Sequence, residues 1–165
     1  GLLDTYESER VPHVQKYIDT AIKLGGLINA TDPTNAFERS KKNTKNGTTM
    51  KSLYPELGIG LGSFLGSNLK KHRGLIASQP RLSKNQLMDD LSGYKSVFIS
   101  RSPIKGLLTN ISELPFLCID TIAEPGLNQF LDDLRVEAVL IRPDRYILGT
   151  AKSFDEQEAL ISIRY

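Results

Sequence analysis

Two patterns of hydrophobic positions divide the chain into a helical start and a strand-rich end. Between residues 2 and 29, apolar residues recur at helical spacing, on the stripe Val14, Ile18, Ala21, Ile22, Gly25 and Ile28. Proline removes a helical hydrogen bond, so Pro12 predicts a short helix to about Arg10 and a second helix that begins near Pro12. No other part of this segment covers the stripe, so we expect the helical segment to dock on a surface outside itself.

Residues 41–66 change to a composition rich in Asn, Thr, Lys, Ser and Gly, which predicts an irregular connector with few core residues. A short capped turn from Asp32 through Phe37 precedes it. Gly58, Gly60, Gly62 and Gly66 favour a flexible loop. An anion site made of backbone N–H groups is the alternative, but the spacing matches no dinucleotide fingerprint and no Gly-Lys-Ser/Thr follows.

The last hundred residues alternate β-branched or aromatic runs with short helical patterns. Glu156 follows the helix cap Ser153 by three residues, as in a capping box, and Ala159, Leu160 and Ile163 are expected to line the buried side of that last helix. The predicted order is β-α-β-α-β-β-α, which indicates an α/β fold around a mixed sheet. The predicted strands are 96–101, 116–120, 138–142 and 146–149, and the predicted helices are 103–110, 126–134 and the one that Ser153 caps.

Composition and charge limit the cellular compartment and the kinds of partner expected for the chain. Its 165 residues carry a formal charge of +2 and one cysteine, Cys118, which excludes an internal disulfide framework. No apolar run approaches the ~18 residues of a membrane span, so we expect a cytoplasmic protein. Residues 1–110 hold 16 basic and 9 acidic side chains, whereas residues 111–165 hold 5 and 10. The basic residues form two short clusters with few aromatics between them, which favours a solvated surface over a nucleic-acid face.

Three segments resemble one known family. Residues 2–13, LLDTYESERVPH, closely resemble the "LLDTYExERxPxA" segment of class A flavoprotein aromatic hydroxylases. Residues 74–82 with 87–91 resemble the "PQPR…LDDLLG" entry to the thioredoxin-like C-terminal domain of the phenol and 3-(3-hydroxyphenyl)propionate hydroxylase branch. Residues 138–147, AVLIRPDRYI, are similar to the "AVLVRPDGYVAWR" hairpin of that branch, with Arg145 where the family commonly has Gly or His.

The resemblance implies that this chain is the C-terminal region of a larger enzyme that uses FAD and NAD(P)H to hydroxylate a phenolic ring. The family's flavin-binding motifs would lie before Gly1. The implied division is a helical segment at 1–40 that belongs to the upstream FAD and substrate part, a connector at 41–73, and a redox-silent thioredoxin-like domain at 74–165. We expect its partners to be that upstream catalytic part and further copies in a homo-oligomer, with no nucleic acid and no membrane.

The residues themselves predict no catalytic, cofactor-binding or metal site in this chain. The position of a thioredoxin Cys-x-x-Cys is occupied by Ser102-Pro103-Ile104-Lys105, and Cys118 sits inside an apolar strand, where cysteine is usually a small buried hydrophobe. His13 and His72 have no partners at metal-ligand spacing and favour surface or cap roles. The adjacent carboxylates at 89–90 and 132–133 point to different faces, and Ser102 and Ser153 have no nearby histidine.

Arg10 keeps two interpretations. In the resembling family, the helix bearing Tyr6 and Arg10 packs beside the flavin domain, which implies that Arg10 could pair with a carboxylate or with the cofactor's surroundings. It could equally be an ordinary surface arginine beside Glu7 and Glu9. For the whole chain, the alternatives to an inactive hydroxylase fragment are a free-standing module that binds an anionic partner through residues 39–51 and, less favoured, a thiol redox protein that uses Cys118.

Overall fold

A computed structural model describes residues 2–28, 53–58, 60, 65–103 and 115–163. The chain begins with a 3-10 turn, Leu2–Thr5, which leads directly into a long helix. Further 3-10 turns are Ser67–Lys70 and Ser83–Asn85. The helices are α1 (Tyr6–Ile28), α2 (Met88–Ser92), α3 (Leu127–Leu134) and α4 (Phe154–Ile161), and the strands are β1 (Ser96–Ser100), β2 (Phe116–Asp120), β3 (Ala138–Ile141) and β4 (Ile147–Ala151).

The four strands form one mixed sheet in the order β2-β1-β3-β4. β1 runs parallel to β2 and antiparallel to β3, and β3 and β4 form an antiparallel hairpin. This order, with a helix after the hairpin, is the thioredoxin arrangement, so the predicted α/β fold with flanking helices is confirmed. The predicted helix at 103–110 and the predicted turn at 32–37 fall outside the described residues.

Alternate residues of the central strands enter two separate cores, because successive side chains of a strand point to opposite faces. Val97 and Ile99 of β1 pack with α2 and α3 on one face of the sheet. Phe98 packs with α4 on the other face. Every residue of β1, β3 and β4 is buried, which explains why these strands appear in the sequence as continuous apolar runs.

Three leucines of the predicted 41–73 connector reach the interior of the protein. Leu57, Leu65 and Leu69 are all buried, and the last two belong to the core on the α4 face. Their backbone passes over β4 at Gly149, where a Cβ would come within 3.1 Å of the Leu69 carbonyl oxygen. Spacing alone did not reveal these leucines, because they lie among turn-forming residues rather than in a periodic pattern.

The edge of the sheet beside β4 is covered by the chain on both sides of the predicted domain boundary at residue 74. The Ile147 N–H donates to the Leu75 carbonyl at 2.8 Å, and the Ala77 N–H donates to the Arg145 carbonyl at 2.8 Å. The Thr150 hydroxyl donates to the Lys71 carbonyl at 2.8 Å. These bonds satisfy backbone groups that an edge strand would otherwise present to other chains.

Two details of the predicted helices change. α1 is one helix with Pro12 inside it, so the predicted break at Arg10 is wrong. In α4 the Ser153 hydroxyl accepts from the Glu156 N–H at 3.3 Å, as predicted for the cap. Ala159, however, is exposed, and Ile161 and Gln157 occupy the buried side with Leu160. The Gln157 amide oxygen accepts a buried hydrogen bond from the Ser100 hydroxyl, which satisfies a polar pair that periodicity cannot anticipate.

Candidate functional site: the contact between the first helix and the hairpin

Helix α1 contacts the domain through a short segment that includes residues 57, 58 and 60. Pro12 has no N–H, so it cannot donate to the Ser8 carbonyl one turn earlier. Gly58 lies at this opened turn, where a Cβ would be 2.1 Å from the Ser8 oxygen. The Gly58 N–H donates to the neighbouring Glu9 carbonyl at 2.9 Å, and the Leu57 N–H donates to the Gly74 carbonyl at 2.9 Å. The proline therefore does not end the helix; it opens a place where a second segment docks.

A bidentate ion pair joins α1 to the end of β3. The Arg142 guanidinium donates from Nη1 to Glu9 Oε1 at 2.6 Å and from Nη2 to Glu9 Oε2 at 3.0 Å. The two side chains are 12% and 7% exposed. Parallel bonds of this kind between arginine and a carboxylate fix orientation as well as distance.

Three further side chains extend this contact along the hairpin turn. Asp144 Oδ2 accepts from Arg142 Nη2 at 2.8 Å and lies 3.6 Å from Arg10 Nη2. The Arg10 guanidinium carbon lies 5.3 Å from the centre of the Tyr146 ring, within range of a cation–π interaction. Arg10 thus pairs with a carboxylate of its own chain. We refer to these five residues, Glu9, Arg10, Arg142, Asp144 and Tyr146, as the hairpin cluster.

The electrostatics of the hairpin cluster favour the charged form of its central arginine. Burial alone would lower the pKa of Arg142, because it removes water from the guanidinium. The hydrogen bonds and negative charges of Glu9 and Asp144 outweigh burial, so the pKa of Arg142 is raised above its ordinary value. The guanidinium is therefore a permanent charge in this contact.

His13 lies in the same contact, so the surface or cap role expected for it is wrong. It is buried one turn after Glu9, with its ring edge-on to Tyr146 at 5.9 Å and to Tyr17 at 5.3 Å between ring centres. The Tyr17 hydroxyl donates to the Leu53 carbonyl at 3.3 Å. The docked side of α1 is consequently polar and aromatic.

The outward side of α1 is apolar, which reverses the usual orientation of an amphipathic helix on a domain. Ile18 follows Glu9 by nine residues, or two and a half helical turns at 3.6 residues per turn, so it lies on the opposite side. Ile18 is 46% and Ile22 is 67% exposed. Val11 and Val14, on the same side, are exposed as well. We call Val11, Val14, Ile18 and Ile22 the apolar stripe.

The glycine run does not fit a phosphate site. The Gly58 N–H is already bonded to the Glu9 carbonyl, and a Cβ at Gly60 would lie 2.2 Å from Glu9 Oε1. A carboxylate at this position would repel an anion. Of the other two glycines, Gly62 lies outside the described residues and Gly66 has no atom near its Cβ position. The backbone at Gly58 and Gly60 is therefore engaged with Glu9 rather than open to a phosphate.

Ser102 lies where a thioredoxin would carry its first redox cysteine, and Cys118 is the one thiol of the chain. Cys118 lies in β2 and is partly buried, and burial raises the pKa of its thiol to about 11. At neutral pH the nucleophilic thiolate is therefore scarce. Ser102 follows β1, and its N–H donates to the Ser100 hydroxyl at 3.0 Å. Neither residue is placed beside a group that would activate it among the described residues.

The remaining candidates have local structural roles. His72 Nε2 lies 2.8 Å from the Leu134 carbonyl, so its N–H caps the C-terminal end of α3, and the cap role predicted for it is confirmed. The paired carboxylates separate as predicted. Asp89 pairs with Arg145 while Asp90 accepts from the Leu87 N–H, and Asp132 pairs with Arg101 while Asp133 accepts from Gln129. Within the described ranges, no group of three or more His, Cys, Asp or Glu could hold a metal ion.

Arg145 occupies a backbone conformation that favours glycine. Its φ is 68°, in the left-handed region, at the position where the resembling family commonly has Gly or His. The side chain compensates by pairing with Asp89 and by donating to the Gly93 carbonyl. An open cleft of about 480 Å³ lies beside it, lined by Asp89, Gly93, Tyr94, Pro143, Asp144 and Arg145. This departure from the family pattern therefore attaches the hairpin to α2.

Sequence reasoning missed the main contact of the molecule. It assigned no role to Glu9 or Arg142, although both lie inside segments quoted for the resemblance. The available signal was chemical: an Arg that directly follows a buried strand, next to Pro143-Asp144, needs a carboxylate partner when it is buried. The partner is 133 residues away in sequence, beyond the reach of any local pattern.

Comparison with known proteins confirms the resemblance to a flavin-dependent aromatic hydroxylase. The chain is similar to the C-terminal part of the probable NADH-specific resorcinol 4-hydroxylase of Rhodococcus jostii (strain RHA1). The two are 27% identical over 184 aligned positions, which cover 97% of this chain and 33% of the relative. The chain thus spans about a third of the length of this curated relative. No protein-family model and no solved structure matches the chain.

Proposed function

We propose that this chain is the C-terminal structural and oligomerisation region of an FAD- and NAD(P)H-dependent aromatic-ring monooxygenase of the cytoplasm. Residues 1–40 belong with the upstream catalytic part, residues 41–73 form the connector, and residues 74–165 form the thioredoxin-like domain, to which the connector adds buried leucines. The similarity to a hydroxylase over nearly the whole chain supports this assignment. The chain alone does not hydroxylate a substrate.

The observation that carries the proposal is the apolar stripe. A helix that turns its polar side toward its own domain and its isoleucines toward solvent needs a second partner, because exposed apolar patches on soluble proteins mark interaction sites. The match covers the C-terminal third of a longer relative. We therefore assign the upstream part of the same polypeptide as the occupant of the stripe.

The flavin and the nicotinamide would be held by that upstream part. When bound there, the reduced flavin supplies the oxygen chemistry that places a hydroxyl on the aromatic ring. The described residues of this chain contribute neither a phosphate cradle nor a proton donor to that reaction. Their contribution is to place α1 and to support contacts between subunits.

Titration of the purified chain with FAD tests the assignment of cofactor binding. We expect no stoichiometric yellow complex after gel filtration, whereas a longer polypeptide that includes the upstream part should retain one flavin per chain. Tight stoichiometric binding of FAD by the 165-residue chain would contradict the proposal. Binding by neither protein would refute the flavin assignment for the whole enzyme.

Sedimentation analysis over a range of concentrations tests the role of the stripe. In the chain alone, the apolar stripe should drive self-association. Ile18→Lys and Ile22→Lys should abolish that association, because each places a charge on the contact. Thr20→Lys adds the same charge on the opposite side of α1, because Thr20 follows Glu9 by eleven residues or about three helical turns, and it serves as the matched control. A wild-type chain that stays monomeric at all concentrations would count against the exposed stripe as a contact surface.

Neither alternative function gains support. The cluster Arg39, Lys41, Lys42 and Lys45, on which binding of an anionic partner would depend, lies outside the described residues. In the second basic cluster, Lys70, Lys71 and Arg73, the Lys71 carbonyl accepts from the Thr150 hydroxyl of β4. No helix in the described part of the chain is long and apolar enough to cross a membrane.

A further inference from the structure

We propose that the hairpin cluster is a latch that fixes the rotation of α1 and thereby sets the direction in which the apolar stripe faces its partner. The identity of that partner rests on the proposed function, but the latch itself lies within this chain. Arg142 and Glu9 are its central residues, and Asp144, Arg10 and Tyr146 support them.

The contact with the rest of the chain lies along the first half of α1. The bonds described between α1 and the rest of the chain involve the first half of the helix, from Glu9 to Tyr17. Most side chains described in the second half are exposed. The first half therefore fixes the direction of the whole helix, including Ile18 and Ile22.

The bidentate geometry of the Glu9–Arg142 pair restricts the rotation of α1. Apolar contacts tolerate sliding and rotation of a helix, whereas a bidentate pair holds one side chain at one angle. Glu9 is held toward the hairpin, and the helical repeat then places Ile18 outward. Gly60 packs directly against the Glu9 side chain from the other direction, which leaves that carboxylate little freedom to turn.

Arg142 is anchored in a closed hairpin turn. Arg142 directly follows β3, and its N–H donates to the Tyr146 carbonyl at 2.9 Å. The Arg145 N–H closes the turn on the Arg142 carbonyl at 3.0 Å. A guanidinium that extends from a closed hairpin turn is a fixed point, so the helix takes its orientation from the sheet.

Amide hydrogen exchange, measured residue by residue in the full 165-residue chain, tests the latch. Two adjacent amides give opposite expectations, because Gly58 N–H bonds to α1 and Leu57 N–H bonds to the domain. In Arg142→Met, the exchange of Gly58 and of the first half of α1 should accelerate at least tenfold. The exchange of Leu57 and of β1 and β3 should stay unchanged. Arg142→Lys, which keeps the charge without the bidentate geometry, should accelerate the same amides by a smaller factor.

Arg101→Met is the matched control, because Arg101 also pairs with two carboxylates, Asp132 and Glu137, but on the domain alone. It should leave the exchange of α1 and Gly58 unchanged. Unchanged exchange of α1 in Arg142→Met would overturn the latch. Equal acceleration in α1, β1 and β3 would overturn it too, because the cluster would then serve overall stability. If Arg142→Met accelerates the exchange of α1 as expected but the wild-type chain does not self-associate, the latch is supported and the role assigned to the apolar stripe is refuted.

Discussion

The Glu9–Arg142 pair should dominate the energetics of the contact between helix and domain. Arg142→Met removes two charge-assisted hydrogen bonds from a carboxylate that is 7% exposed. Breaking one side of a buried pair costs about 3–5 kcal/mol. Glu9→Gln should cost less, about 1.5–3 kcal/mol for a hydrogen bond to a charged group, because Arg142 keeps Asp144 as an acceptor at 2.8 Å. The two substitutions share one interaction, so the double variant should be more stable than the sum of the single effects predicts.

Urea unfolding of the four proteins, followed by circular dichroism, measures these differences. Arg101→Met again supplies the comparison, since its carboxylate partners are well exposed and such pairs contribute about 0–1 kcal/mol. The stated reasoning fails if Arg142→Met and Arg101→Met lose the same stability. It also fails if the effects of Glu9→Gln and Arg142→Met add, because independent effects would mean that the pair does not interact.

Three further outcomes follow from single positions. Cys118 has a pKa of about 11, so at pH 8 it should react with iodoacetamide about 100-fold more slowly than a thiol of pKa 9. The unfolded protein should react fast, and rapid labelling of the native protein would contradict the raised pKa. Arg145→Gly should be more stable in urea than Arg145→Ala by about 1 kcal/mol, since both lose the side chain but only glycine relieves the left-handed backbone; equal stability would rule out that strain. Gly58→Ala should cost about 1–3 kcal/mol of unfolding free energy and Gly66→Ala much less, since only the first Cβ meets backbone; equal losses would count against the close approach.

The sheet was predictable from sequence because its determinants are local. The strands at 96–101, 116–120 and 138–142 have apolar segments at 97–99, 116–119 and 138–141, and the turn at Pro143-Asp144 marks the hairpin. Each observed strand lies within one or two residues of its prediction. The buried side of the last helix was less well predicted, since Gln157 is buried and bonded to Ser100 while Ala159 is exposed.

The contact between helix and hairpin was not predictable from local pattern. Pro12 was interpreted as a helix break because its effect on its own turn is known, but the segment that occupies the opened turn lies more than forty residues away. Arg142 and Glu9 each look like surface charges in isolation. Only their proximity in the fold shows that the side of α1 facing the domain is the polar one.

The residues that pack on β4, from Leu65 to Ala77, determine where an isolated domain should begin. Thr150 reaches back 79 residues to Lys71, and Leu65 and Leu69 close the core beneath it. An excised domain that started at residue 74 would keep the backbone pairing of residues 75–77 but lose both leucines and the His72 cap. Because these contacts close long loops, they are costly in chain entropy and should form late in folding. A boundary upstream of Leu65 would therefore give the smallest piece that folds with a complete core.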